Sequence, residues 1–197
     1  MQHGFIEEPH QILSHADSEP CSPRPRRDEP FQTLLRAIVG QQISTRAADA
    51  IWARLAARVA VTDPESLLRV GDDDLRAIGL SLRKVTYVKD LAQHFADGRL
   101  DPARFAAASD EAIIAELVAV RGIGRWTAEM FLMFNLMRPD VWPVDDIGLQ
   151  NAVARLYCDG LRPTPAALRR MGERWAPWRT VASWYLWRSL DPVDVVY

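Results

Sequence analysis

Apolar residues recur every three or four positions along most of this chain, broken by short polar or Pro- and Gly-bearing interruptions, and that rhythm predicts helices. Phe31, Leu34, Leu35, Ile38 and Val39 fall at i, i+3, i+4, i+7 and i+8, one apolar face of an amphipathic helix. Gly40-Gln41-Gln42-Ile43-Ser44 interrupts it, and Ile51, Trp52, Leu55 and Val59 then resume helical spacing in an Ala- and Arg-rich run. Asp63-Pro64-Glu65 reads as a helix start with proline in the first turn, and short helical pieces follow through Leu67, Leu68, Leu75 and Ile78 up to Gly79. Val85, Val88, Leu91, Ala92 and Phe95 restore the period, Asp101-Pro102 opens a short element, and Ser109-Asp110-Glu111 begins a helix on Ile113, Ile114, Leu117 and Val118. Leu149, Val153 and Leu156 carry one further helix, and Val181, Trp184, Trp187 and Leu190 a last one at three-residue spacing. No segment alternates apolar and polar residues for more than a few positions and no Asn-Gly or Asp-Gly turn joins β-rich runs, so the expected fold is all-α.

Residues 1–30 break this pattern. Pro20, Pro23, Pro25 and Pro30 prevent a continuous helix there, which suggests a lead-in packing on a domain that spans residues 31–197. With 48% apolar and 25% charged residues, the 197-residue chain has a globular composition, and disorder as its main state is excluded. The apolar stretch from Met130 to Met137 falls far short of the ~20 residues a membrane-spanning helix needs, and the N-terminus lacks a basic segment followed by an apolar run. The expectation is a cytoplasmic monomer without a membrane partner. Cys21 and Cys158 show neither zinc spacing nor a disulfide framework, so no metal site is expected. His3, His10, His15 and His94 show no spacing to an acid or nucleophile, and neither a nucleophile-elbow motif nor a phosphate-cradling Gly-Lys loop occurs. The net charge of −2 neither requires nor forbids an anionic partner; 22 of the 24 basic residues are Arg, which suits phosphate recognition and equally suits a codon bias.

The most informative stretch is Leu117-Val-Ala-Val-Arg121-Gly122-Ile123-Gly124-Arg125-Trp126-Thr127-Ala128. Two glycines flank one aliphatic residue between two helical patterns. Glycine permits the positive φ of a tight hairpin and lets backbone N–H groups approach a phosphate at the start of the following helix. An ordinary helix-to-helix turn would need the same glycines. About twenty residues on, Trp142-Pro143-Val144-Asp145-Asp146-Ile147-Gly148-Leu149 sets two carboxylates at a helix start. One of them suffices as a cap, and the second is surplus to that task.

Together these elements resemble the helix-hairpin-helix-Gly/Pro-Asp superfamily of DNA glycosylases, with the helix-hairpin-helix at about residues 112–136. Within that superfamily the chain looks like the 3-methyladenine DNA glycosylase II type, through Ala37-Ile-Val-Gly40-Gln41-Gln42-Ile-Ser44, Leu75-Arg-Ala-Ile-Gly79-Leu, Gly122-Ile-Gly-Arg-Trp126-Thr-Ala and Glu173-Arg-Trp175-Ala-Pro177-Trp178-Arg179. The likeness covers roughly residues 31–190. Relatives with this catalytic domain can carry an N-terminal β-rich domain, so a minimal form is expected here.

The resemblance implies two helical subdomains with the active-site cleft between them, and double-stranded DNA containing damaged bases as partner. Asp146 becomes the catalytic carboxylate, and Asp145, Trp126, Trp187 and Met130 the base pocket. Gly122, Ile123, Gly124, Arg125, Thr127 and Arg121 become the backbone-gripping hairpin, and Gln42 the residue that fills the gap left by an extruded nucleotide, with an ordinary loop residue the equal alternative. An alkylated purine carries positive charge, so its glycosidic bond needs no general acid, and a single carboxylate suffices as electrostatic stabiliser or as base for water. Indole faces at positions 126 and 187 would hold the cationic base by stacking, whereas Trp175 and Trp178 are expected to fill the core. Bifunctional relatives carry Lys where Trp126 stands, so no strand cleavage through a Schiff base is expected. The four clustered cysteines of the iron–sulfur relatives are absent, so no cluster is expected; a structural monovalent cation at the hairpin is compatible with the resemblance. Met130 stands where Tyr is familiar, which bears on substrate range. Two alternatives stay open: the same scaffold acting on deaminated, etheno or alkylated pyrimidine bases, and a non-catalytic DNA-binding module.

Overall fold

A computed structural model describes residues 29–61 and 63–191, and the lead-in expected for residues 1–30 lies outside them except for Glu29 and Pro30. Among the described residues the secondary structure is entirely helical: α1 Pro30–Gly40, α2 Thr45–Ala56, α3 Pro64–Arg69, α4 Asp72–Ile78, α5 Leu82–Ala96, α6 Pro102–Phe105, α7 Asp110–Val118, α8 Arg125–Phe134, α9 Ile147–Tyr157, α10 Pro165–Gly172, a 3-10 turn at Glu173–Trp175, and α11 Arg179–Arg188. Seven of these helices begin on a Ser, Asp or Thr whose side chain accepts an N–H of the first turn: Ser44, Asp63, Ser81, Asp101, Ser109, Asp146 and Thr164. Each cap satisfies donors that the helix itself cannot, which is why the breaks in apolar period coincide with these residue types.

The described chain divides into two compact units, residues 29–137 and 138–191. In the first, α1 buries Phe31, Leu34, Leu35, Ile38 and Val39, the five residues its period singles out, and packs against α2, α5 and α8. Phe31 meets Phe95 edge-on with ring centroids 5.2 Å apart, and Phe105 meets Phe131 at 5.8 Å. Asn135 Nδ2 donates to Thr33 Oγ1 at 2.9 Å, tying the end of α8 to α1. α2 is shorter than its pattern: it ends at Ala56, Val59 lies in the turn beyond, and Leu55 is its buried residue. Val118, expected on the apolar face of α7, turns outward while Ile113, Ile114 and Leu117 are buried.

The second unit forms its core from Trp142, Val144, Leu149, Ala152, Val153, Leu168, Trp175, Ala182 and Leu186. Trp142 lies against Trp175 with centroids 5.1 Å apart, and its Nε1–H donates to Leu168 O at 2.9 Å, so the buried indole is satisfied. Two expectations are corrected here. Trp178, assigned to the core, stands 49% exposed at the N-cap of α11. The stripe Val181, Trp184, Trp187 and Leu190 is not the buried face: α11 buries Ala182, Ser183 and Leu186, and Trp184 is 48% exposed. Steps of three residues fall about 60° short of a full turn, so such a stripe winds around the helix.

Candidate active site and nucleic-acid interface

In residues 29–137 the hairpin runs from the end of α7 to the start of α8. The N–H of Val120 donates to Leu117 O and that of Ile123 to Val120 O, both at 3.1 Å, which closes the turn, and Ile123 is buried as its anchor. Gly122 has φ +87°, a conformation costly for any residue with a Cβ, and a Cβ there would collide with the ring of Tyr87. Asp90 Oδ2 accepts the N–H of Arg121 at 2.8 Å, and Gln41 Nε2 donates to Gly122 O at 2.8 Å. The hairpin is thus seated on α5 and on the loop after α1 by Tyr87, Asp90 and Gln41. α8 then starts at Gly124, a cap position without a side chain, in contrast to the seven capped helices.

The loop Gly40–Ser44 is held in turn. Lys84 Nζ donates to Val39 O at 2.7 Å and to Gln41 O at 2.8 Å, satisfying carbonyls at the end of α1; burial pushes the Lys84 ammonium below its ordinary range. Gln42 is exposed and adopts φ +57°, which side chains other than glycine seldom take. Arg125 does not offer an uncommitted charge. Its guanidinium is bidentate on Glu111, and its Nε donates to the buried Glu129 at 3.0 Å. That pairing holds the Glu111 carboxyl below the usual carboxylate range. Trp126 is 47% exposed, and Met130, one helical turn further on the same side of α8, is half-buried, as is Thr127.

In residues 138–191 the carboxylate of Asp146 is the N-cap of α9. Its Oδ1 accepts the N–H of Leu149 at 2.6 Å and the Nε1–H of Trp187 at 2.7 Å. Capping thus falls on Asp146, the residue expected to be the catalytic carboxylate, while its neighbour Asp145 is exposed. Gly148 lets Asp146 and Trp187 approach closely: a Cβ there would lie 3.1 Å from Asp146 Oδ1 and 3.1 Å from Trp187 Cδ1, so one of them would have to give way. The indole therefore meets Asp146 through its N–H edge. Trp187 is half-buried. The segment entering this site is fixed by Arg179, whose Nε and Nη2 grip the two oxygens of Asp140 at 2.6 and 2.7 Å and hold that carboxyl below its usual range.

The HhH-GPD superfamily base excision DNA repair protein model matches residues 35–177, from α1 through the hairpin and Asp146 to the segment before α11. The chain belongs to this superfamily. It is 36% identical over 179 residues to DNA-3-methyladenine glycosylase 1 of Schizosaccharomyces pombe, covering 87% of this chain and 78% of that protein. Among solved structures it is similar to a DNA-3-methyladenine glycosidase from Bacillus halodurans, with a TM-score of 0.81 and 38% identity over 96% of this chain and 92% of that one. A 3-methyladenine DNA glycosylase of Schizosaccharomyces pombe in complex with abasic DNA superposes with a TM-score of 0.76 at 32% identity, covering 98% and 96% of the two chains. For an HhH-GPD protein, Gln41, Tyr87, Asp90, Lys84 and Gly148 are the residues sequence reasoning missed. Gln41 lies in the Gly40–Ser44 motif, but its partner Gly122 lies 81 positions away, and no local pattern carries that information.

Proposed function

We propose that this protein is a DNA glycosylase of base excision repair that hydrolyses the N-glycosidic bond of alkylated bases such as 3-methyladenine and 7-methylguanine. The observation that carries the reading is the Asp146 carboxylate, fixed through one oxygen by Leu149 N–H and Trp187 Nε1–H in a chain similar to named 3-methyladenine glycosylases. In this reading the hairpin of Arg121, Gly122, Ile123, Gly124, Arg125 and Thr127 grips the backbone of double-stranded DNA with main-chain N–H groups, without reading sequence. The damaged nucleotide is extruded and Gln42 occupies the space it leaves. The resemblance assigns Trp126, Met130, Trp187 and Asp145 to the base pocket, and each is a candidate to be tested by substitution.

Because the alkylated base is already cationic, bond cleavage builds positive charge on the sugar, and a carboxylate held in one orientation stabilises it at no cost in reorganisation. Water completes the reaction, and the product is an abasic site with an intact strand. The indole at position 126, where an amine would otherwise be the nucleophile, fits a hydrolytic outcome. The reaction needs no cofactor. A structural monovalent cation at the hairpin would take main-chain carbonyls such as Val120 O and Gly122 O, each of which accepts one hydrogen bond and retains a second lone pair. We take the working unit to be one chain on one DNA duplex.

The test is incubation of the protein with methylated duplex DNA and chromatographic identification of the bases released, with a parallel assay for strand breaks. Release of 3-methyladenine or 7-methylguanine without strand scission is expected. Salt-sensitive duplex binding with no release of any methylated base would overturn the reading.

A further inference from the structure

We propose that Gln41 is a positioning residue that couples the phosphate-gripping hairpin to the loop presenting Gln42. The inference rests on the glycosylase reading above. Gln41 is used at both ends. Its main-chain carbonyl accepts from Lys84 Nζ at 2.8 Å, and its side-chain amide donates to Gly122 O at 2.8 Å, 81 positions away in sequence. The same ammonium holds Val39 O at 2.7 Å, so the last turn of α1, the loop and the start of α5 are pinned together. On the other side, the Tyr87 ring beneath Gly122 and the Asp90 carboxylate on Arg121 N–H fix the hairpin to α5.

Tyr87 and Asp90 secure the hairpin alone, whereas the Gln41 amide spans from the hairpin to the loop. The residue immediately after it, Gln42, is exposed with φ +57°, a backbone state that neighbours must hold in place. A hairpin seated on the phosphate backbone would therefore fix, through Gln41, where the Gln42 side chain stands relative to the strand. Without that amide the hairpin still binds, but the loop loses its register with it. A side chain that must enter a base stack tolerates little misplacement, since displacements of about 1 Å at positioning groups cost on the order of 100-fold in rate.

The experiment is a double-mutant cycle of Gln41→Met, which keeps length and removes the donor, with Gln42→Ala. Three quantities are read: single-turnover base release from methylated duplex, affinity for undamaged duplex, and fluorescence of 2-aminopurine beside a tetrahydrofuran abasic-site analogue. Gln41→Met is expected to slow release at least five-fold and to lower the fluorescence rise, with undamaged-duplex affinity within two-fold of wild type. In the Gln42→Ala background the same substitution should cost less than two-fold. Effects that multiply independently, or an affinity loss as large as the loss of release, would overturn the coupling and leave Gln41 a support for the fold. If the Met variant does not fold, Gln41→Asn, which keeps the amide one methylene short of Gly122 O, carries the same expectations. A wild-type protein that raises the fluorescence yet releases no base breaks the glycosylase reading instead, and the coupling is then judged from the fluorescence cycle alone.

Discussion

The two units carry chemistry in opposite ways. In residues 29–137 the candidate functional part is main chain, the hairpin Arg121–Gly124, and its placement comes from side chains of Gln41, Tyr87 and Asp90 far off in sequence. In residues 138–191 the candidate functional part is a side chain, the Asp146 carboxylate, and much of its placement comes from main chain close by: the Leu149 N–H three residues on and the bare Cα of Gly148 two residues on. Local placement leaves a trace in a sequence motif, and distant placement does not. The two should also break differently: damage to the hairpin's own backbone geometry through affinity, and loss of the Asp146 charge through chemistry.

The largest separation is expected from Asp146→Asn. Asparagine still caps a helix, so the melting temperature should hold, but loss of the charge should slow base release by at least ~100-fold. Duplex affinity should be unchanged or higher, since one negative charge is gone; an equal loss of affinity would erase the contrast between the units. Gly122→Ala is the complementary break. It forces a Cβ toward Tyr87 at φ +87° and is expected to cost about 1–3 kcal/mol of stability, with roughly ten-fold weaker duplex binding. Calorimetry and a salt-titrated binding assay read both.

Trp187→Phe sharpens the carboxylate side by keeping an aromatic face and deleting the N–H that Asp146 accepts. A hydrogen bond to a charged group contributes about 1.5–3 kcal/mol, so release should fall roughly 10-fold or more while duplex affinity stays level. Unchanged release would mean that the ring face alone matters. The smallest effect concerns Asp140, whose carboxyl Arg179 holds below its ordinary value of 3.8. A carboxylate depressed in the folded state adds stability above its unfolded pKa and loses it as pH falls through the folded one. Melting temperatures of wild type and Asp140→Asn should therefore differ most near neutrality, by an amount worth about 1 kcal/mol for a partly exposed pair, should begin to approach one another as pH falls past the ordinary value of 3.8, and should meet only below the depressed folded value.

Most helix starts were legible because seven of the eleven described helices carry their own side-chain cap, and Ser109 and Asp63 announce α7 and α3 without help from the rest of the chain. The buried face of α1 was legible because one uninterrupted period spans it. α11 was not. With buried Ala182 and Ser183 beside exposed Trp184, its hydrophobic content does not mark its inner face, and Trp178 is exposed despite its residue type. At the site, a motif announced Asp146 and the hairpin glycines. The Tyr87 ring, the Asp90 carboxylate and the Lys84 ammonium did not stand out, because on α5 they read as the ordinary polar face of an amphipathic helix.

The ion pairs of Arg125 set the range over which the hairpin can be felt. A free guanidinium at the head of α8 would project a field over about 8 Å at physiological ionic strength, whereas one cancelled by Glu111 and Glu129 projects little beyond its own contacts. Main-chain dipoles likewise act only at touching distance. Under the proposed reading the hairpin would therefore work as a latch and not as a beacon, engaging a strand only on contact and leaving long-range attraction to charges elsewhere.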